Sequence, residues 1–353
     1  MDYIGSKEKL NQWLFEKMLA GVVPSPDILF FDACAGSGSV SRYAAGRGLA
    51  VVSTDLLALS AEMVRGSAAF PIERLLPDAE DHIMVMNLLP GIDGFFAEHY
   101  AEKAGRLYFS TENARRIDAV RSYLGSIEDL ALRSYLTYCA LEALSRVSNT
   151  AGVQAAYLKA LKERARQPLE LRLEKTIGAT TPIETITGDV LTVLRDPAFR
   201  ATHHEDLLYI DPPYNERQYG PNYHLYETFV KNDDPEIRGK TGVRNWGAES
   251  RSDFCSRKTC LDFTGAIIEA TTARKVFISY NSDGLIPETE MVDFLNTHTH
   301  THTHKPQWSH TVCRNEGSNR TPARRALITK PRWTNCFLKY RSKKGVNLTP
   351  QPG

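Results

Sequence analysis

The sequence predicts an α/β fold, a Rossmann-like sheet with helices on both faces, and three observations carry that expectation. Residues 27–57, "DILFFDACAGSGSVSRYAAGRGLAVVSTDLL", read in order as strand, small-residue turn, helix, strand and acid, the opening of a nucleotide-binding βαβ unit. Strand-like runs return at 183–194, 207–210 and 273–287. Between them, from about 61 to 180, helical periodicity takes over, as in a helical insertion.

Taken along the chain, "YIGSKEKLNQWLFEKML" is a turn followed by a helix, with Leu10, Trp13, Leu14, Met18 and Leu19 at helical spacing. Ile28 to Phe31 is an apolar run of strand length, and Asp32-Ala33-Cys34-Ala35-Gly36-Ser37-Gly38 is the turn. Val40 to Ala45 starts a helix that Gly46 and Gly48 close. Leu49 to Ser53 is a second strand, and Asp55 ends it. "ENARRIDAVRSYLGSI" and "LRSYLTYCALEALSRVSNTAGVQAAYLKALKERAR" read as helices of the insert. A polar, Arg/Lys-rich connection, about 231–260, separates the runs at 207–210 and 273–287. The expected domains are therefore residues 1–60 with 181–296, residues 61–180, and a tail from 297 to 353.

Composition excludes several classes. No run approaches the roughly 20 apolar residues of a membrane span, and the N-terminus lacks an apolar signal core, so no membrane partner and a cytoplasmic location are expected. The six cysteines are scattered without a Cys-x-x-Cys pair, which favours reduced thiols over disulfides or a zinc site. A formal charge of +1 argues against a uniformly basic nucleic-acid binder, yet Lys305 to Lys344 carries eleven Lys/Arg against one acid, Glu316. Such a stripe suits a phosphate backbone and equally a solvated tail. Thr297 to His304 reads THTHTHTH. It is low complexity with no further ligands to make a metal site, so no metal is expected. A dinucleotide-repeat coding tract behind it would allow slippage of the downstream frame.

Two stretches carry chemistry. Gly36 and Gly38 between strand and helix let a ligand approach backbone N–H groups, although a turn built only for tight packing has the same sequence. No Lys-Ser/Thr follows, which excludes a P-loop. Asp55 stands where ribose hydroxyls would find an acceptor. The run Leu207 to Ile210 then stops on Asp211-Pro212-Pro213-Tyr214. Proline has no N–H to give a ladder, so the carbonyls here stay free of pairing. Asp211 and the Pro212 carbonyl make two acceptors suited to an exocyclic NH₂, beside the flat ring of Tyr214. That set fits a nucleobase taken out of its stack.

The tetrapeptide, "FFDACAGSGSVS" and "YIGSK" together resemble the Dam-like (alpha-class) S-adenosylmethionine-dependent adenine-N6 DNA methyltransferases. "DPPYNERQYGPNYHLYET", "NTAGVQAAYLK" and "ISYNSDGL" narrow the resemblance to a branch found in type II restriction–modification systems. The resemblance covers about residues 3–290 and departs at Cys34, where many relatives carry an aromatic. It implies a class I methyltransferase sheet, S-adenosyl-L-methionine as cofactor, double-stranded DNA as partner, a cognate restriction endonuclease encoded nearby, and action as a monomer. Residue by residue, it implies cofactor contacts from Tyr3, Lys7, Asp32, Ala33, Gly36, Gly38, Asp55, Asp189 and Asp211. Lys7 would meet the methionine carboxylate, Asp55 the ribose and Asp189 the adenine ring. Asp211, Pro212, Pro213 and Tyr214 would be catalytic, and Phe277 would line the target pocket. The segment after the tetrapeptide reads as the lip of that pocket, with Arg217, Tyr219 and Tyr223 as DNA contacts. Arg244, Arg257 and Lys258 of the 231–260 connection would join them. An RNA adenine-N6 methyltransferase, or a DNA-binding relative without turnover, is the alternative; a glutamine methyltransferase would more usually carry Asn in place of Asp211.

Overall fold

In the computed structural model, residues 6–176, 178–247, 250–281 and 284–298 are described, with the backbone of strands 309–314 and 334–341. In chain order, the first elements are α1 (Asn11–Met18), β1 (Leu29–Asp32), α2 (Ser39–Gly46), β2 (Ala50–Asp55) and α3 (Ala58–Ser67). The insert adds α4 (Ile72–Leu88), α5 (Phe95–His99), α6 (Thr111–Gly125), α7 (Leu130–Val147) and α8 (Glu163–Arg166). Then come β3 (Ile183–Thr187), α9 (Val190–Arg195), α10 (Pro197–Thr202), β4 (Leu207–Ile210), α11 (His224–Lys231), β5 (Ile237–Arg238) and β6 (Val243–Arg244). The last are α12 (Cys260–Ala270), β7 (Lys275–Asn281), α13 (Glu288–His298), β8 (Ser309–Arg314) and β9 (Thr334–Arg341). They form two compact units, Met1–Val190 with Gln218–Arg251, and Leu191–Arg217 with Ser252–Gly353.

The first unit holds the parallel strands β3, β2 and β1, with Phe31 opposite Val52 and Asp55 opposite Thr187. Parallel pairing requires a crossover, and α2 supplies it between β1 and β2. The apolar run of the sequence sets β1, whose Phe30 and Phe31 are fully buried. The helical insert packs with α11 around Phe96, Tyr100, Phe109, Tyr135, Leu136 and Tyr223. Burying an aromatic ring of this kind is worth about 2–3 kcal/mol, so this ring-rich cluster contributes substantially to the stability of the unit.

The second unit pairs β4 with β7 in parallel, Leu207 opposite Lys275 and Ile210 opposite Ile278. β9 joins β7 antiparallel, and β8 joins β9. Every residue of β4 is buried, which explains a continuous rather than alternating apolar pattern. The α/β, Rossmann-like expectation holds.

Two local readings change. Residues 148–162 are not helix, since α7 ends at Val147 and Gly152 has φ +110°. Asn149 shapes the loop instead: its side-chain amide donates to the carbonyls of Leu107, Leu158 and Ala160, and its Oδ1 accepts from Lys162 N–H. With the Leu158 and Ala160 carbonyls and the Lys162 N–H bonded to one side chain, these backbone groups are satisfied without a helical ladder. Further on, within the stretch expected as a tail, "SHTVCR" is β8.

Candidate functional site

The first unit contributes a knot of backbone and carboxylate at the ends of β1 and β2. Ala35 N–H donates to the Thr54 carbonyl at 2.9 Å, and Thr54 Oγ1 donates to the Ala33 carbonyl at 3.0 Å. The Asp55 carboxylate takes Gly36 N–H on Oδ2 (2.8 Å) and Leu57 N–H on Oδ1 (3.0 Å). Its own carbonyl accepts from Gly188 N–H at 2.8 Å, which sets the turn carrying half-buried Asp189 beside it. Burial pushes the Asp55 carboxyl up, and the two N–H bonds oppose that. Gly38 has φ +72°, and a Cβ there would lie 2.5 Å from Val64 Cγ2. Both the left-handed backbone and the tight approach to α3 therefore demand glycine.

Around this knot sit residues that the sequence did and did not single out. Asp32 is 1% exposed and accepts Ser41 Oγ–H at 2.6 Å, so its carboxylate braces the start of α2. Lys7 is buried, its N–H donating to Ser39 Oγ at 3.2 Å, and Asn11 Nδ2 donates to the Ser39 carbonyl at 2.9 Å. The lysine segment is thereby tied to the residue that follows Gly38. Ala33 is buried, and Tyr3 lies outside the described residues. Arg42, which sequence reasoning missed, donates to the Ser37 carbonyl at 2.7 Å and to Ser67 Oγ at 2.8 Å. Glu227 was missed as well: it accepts from Ala58 and Leu59 N–H across some 168 residues of sequence, a separation at which no local pattern could reveal it.

The second unit contributes the tetrapeptide. Asp211 follows β4 directly and is half-buried, Pro212 is buried, and Pro213 and Tyr214 are half-buried. The Tyr214 carbonyl accepts Leu285 N–H at 2.9 Å, so the loop after β7 braces the tetrapeptide. Tyr280 Oη in turn accepts Ile286 N–H at 3.3 Å. Phe277 is buried within β7, opposite Tyr209. With no N–H at 212 or 213, this strand end is rich in acceptors, while the Gly36–Leu57 knot is rich in N–H donors turned onto one carboxylate.

The expected DNA contacts divide. Tyr223 is 1% exposed inside the ring cluster, and Tyr219 packs against the same cluster. Arg244 is 5% exposed and forms a two-pronged pair with Asp233 at 3.0 and 2.7 Å, with its guanidinium 5.3 Å from the Trp246 ring centre. Tyr223 of the expected lip and Arg244 of the 231–260 connection are thus both buried here, the first by ring packing and the second in an ion pair with partly exposed Asp233. Arg217, Arg257 and Lys258 are exposed. Of these, Arg257 pairs with Glu290 at 2.8 Å.

Among the described residues, no helix is long and apolar enough to cross a membrane. The basic stripe and the His-Thr tract lie largely outside the described residues. Residues 3–291 match the family model of the D12 class N6 adenine-specific DNA methyltransferases. The type II methyltransferase M.NlaIII of Neisseria lactamica is 34% identical, over 81% of this chain and 85% of its own length. M.CviAII of Paramecium bursaria Chlorella virus 1 is 29% identical over 84% and 88%. M.FokI of Planomicrobium okeanokoites is 36% identical over 58% of this chain, a match that spans 32% of that longer protein. The chain belongs to the D12 class of N6 adenine-specific DNA methyltransferases.

Proposed function

We propose that the chain is a Dam-like, alpha-class type II enzyme that uses S-adenosyl-L-methionine to methylate N6 of an adenine flipped out of duplex DNA, protecting host DNA beside a cognate endonuclease. The observation that carries this reading is the pair of strand ends: a donor-rich turn clamped on Asp55 and an acceptor-rich Asp211-Pro212 end. The donor set of the first unit fits the cofactor by its chemistry. A half-buried carboxylate at a strand end suits ribose hydroxyls, and a lysine suits a methionine carboxylate. When bound, the cofactor supplies an electrophilic methyl on a sulfonium.

In this reading Tyr3, Lys7, Asp32, Ala33, Gly36, Gly38, Asp55 and Asp189 form the cofactor site. Asp32 acts there by bracing the turn rather than by touching the ligand. Asp211 and the Pro212 carbonyl accept the two hydrogens of the adenine amine. That pulls the nitrogen toward a tetrahedral shape and exposes its lone pair, so positioning and electrostatics supply the rate. Pro213 holds the carbonyl rigid, and Tyr214 stacks on the extruded base, offsetting the few kcal/mol that flipping costs. Transfer leaves N6 positively charged and strongly acidic, so one of its two protons passes to solvent without a dedicated base and the neutral methylated amine remains. Arg217, Arg257 and Lys258 meet phosphates.

Transfer of tritiated methyl from S-adenosylmethionine to duplex DNA, with Asp211→Ala as the control, tests the reading. Incorporation that depends on Asp211 is the expected result; no incorporation into any duplex overturns it. Sequencing the modified DNA gives the recognition site.

A further inference from the structure

Glu227 lies in α11, is 3% exposed, and accepts Ala58 N–H on Oε1 at 3.2 Å and Leu59 N–H on Oε2 at 2.8 Å. These are the first two N–H groups of α3, which has no cap of its own: the residue before it is Leu57, whose side chain makes no cap hydrogen bond. Helix starts leave such donors without intrahelical partners, and a buried orphan costs about 1–3 kcal/mol. A serine or aspartate at position 57 would satisfy them locally. The chain uses a carboxylate 168 residues away instead, which adds something a local cap cannot: it binds the start of α3 to α11.

The start of α3 is also the end of the cofactor knot. Only Leu56 and Leu57 separate Asp55 from Ala58, and Leu57 N–H donates to Asp55 Oδ1. Any shift of the first turn of α3 therefore pulls on the carboxylate that Gly36 holds from its other oxygen. α11, for its part, begins at His224, where the segment that follows the tetrapeptide ends. We propose that Glu227 is a positioning residue for the cofactor: through the first turn of α3 it sets the orientation of Asp55 for the ribose. This rests on the S-adenosylmethionine reading of Asp55 given above.

Two variants test it from opposite sides. Glu227→Gln keeps the shape of the side chain but removes the charge and one acceptor. Ala58→Pro removes one donor with the carboxylate intact. Proline is tolerated at the first position of a helix, and Leu57 already has the extended conformation it requires, φ −94° and ψ 129°. Glu205→Gln is the control for buried carboxylates in general, since Glu205 accepts Thr272 N–H and Thr271 Oγ–H, each at 2.7 Å, in the second unit.

The measurements are calorimetric Kd for S-adenosylhomocysteine, KM for S-adenosylmethionine, KM for duplex, kcat and Tm. Glu227→Gln is expected to raise the Kd and the cofactor KM about tenfold, the worth of one charged hydrogen bond, with kcat at saturating cofactor and KM for duplex unchanged. Ala58→Pro moves the same two constants less, and the double variant is no worse than Glu227→Gln alone. Glu205→Gln lowers Tm and leaves them where they were. A Tm loss in Glu227→Gln with unchanged cofactor constants makes Glu227 an ordinary cap and overturns the inference. If that variant does not fold, an unchanged Kd in Ala58→Pro overturns it equally. Wild type that binds no S-adenosylhomocysteine overturns the cofactor reading and this inference with it; wild-type binding with unaffected variants overturns the inference alone.

Discussion

β2 ends on an aspartate and β4 runs directly into one, and the two ends are built in opposite ways. After Asp55 the chain enters α3, and N–H groups from Gly36 and Leu57 turn back onto the carboxylate. After Asp211 come two prolines, so the next two residues have no N–H to turn anywhere. The same residue type thus serves different ends. One carboxylate is immobilised by donors and has its remaining acceptor capacity aimed by them. The other stands in a run of acceptors, where a group with two hydrogens of its own is the natural complement.

That contrast predicts separable kinetic defects. Asp211→Ala should lower kcat by about 10²–10³-fold, the usual loss for a preorganised polar contact to the reacting group, while the Kd for S-adenosylhomocysteine stays near wild type. Asp55→Asn should do the reverse, raising the cofactor KM about tenfold with little change in kcat at saturation. Steady-state kinetics with cofactor and duplex varied separately, plus calorimetry, give the answer. Two variants with the same profile would break the distinction between the ends.

The two strand ends were legible in the sequence because each is a contiguous run: strand, then Gly turn or Pro-Pro. The helical insert was legible from its period as far as Val147, and failed beyond it because Ser148-Asn149-Thr150-Ala151-Gly152 hands the backbone to the Asn149 side chain. Arg42 and Glu227 were illegible, for their partners, the Ser37 carbonyl and Ser67 hydroxyl for one and the Ala58 and Leu59 N–H groups for the other, follow no sequence pattern. The burial of Tyr223 and Arg244 was illegible for a related reason. An aromatic or arginine in a polar stretch reads as surface until the ring cluster and Asp233 that bury it are known. The tetrapeptide has a local signature; the residues that brace the two strand ends leave none.

His224 sharpens the comparison through pH. It is fully buried at the start of α11, with Nε2 3.0 Å from the Gln154 carbonyl, and burial pushes its pKa down to about 4. In the unfolded chain it titrates near the ordinary 6.5. The folded-state pKa is therefore the lower one: its share of stability is complete above about pH 6.5. It is lost as pH falls from there toward 4, because the unfolded chain takes up the proton first. The full loss is about 3 kcal/mol. Urea unfolding at pH 7 and pH 5 should show the decline, and His224→Asn should flatten it. An equal slope in both proteins would remove His224 as its source.

Gly38 tests the donor-rich end directly. Gly38→Ala sets a Cβ 2.5 Å from Val64 Cγ2 on a backbone with φ +72°. Left-handed strain and overpacking together should cost about 2–3 kcal/mol, read as a lower denaturation midpoint at unchanged m. At the acceptor-rich end, Pro213→Ala should cost at most about 1 kcal/mol, mainly by raising the conformational entropy of the unfolded chain, while lowering turnover. A Gly38→Ala protein as stable as wild type would mean that the turn does not need its glycine.

The smallest effects separate a buried arginine from an exposed one. Arg244→Ala leaves Asp233 without its two-pronged partner and Trp246 without the guanidinium beside it. Asp233 is about a third exposed, so water relieves part of the penalty, and the loss should be about 2 kcal/mol rather than the 3–5 of a fully buried pair. Arg257→Ala breaks a pair whose members are both largely exposed and should cost less than about 0.5 kcal/mol. Duplex binding should rank the two the other way. A surface arginine that meets a phosphate releases about one counterion, so Arg257→Ala should reduce the slope of log K against log salt by about 1. Arg244→Ala, measured where it is fully folded, should leave that slope as it is. A changed slope for Arg244→Ala would show that the guanidinium leaves Asp233 when duplex binds, and would restore it to the DNA-facing set.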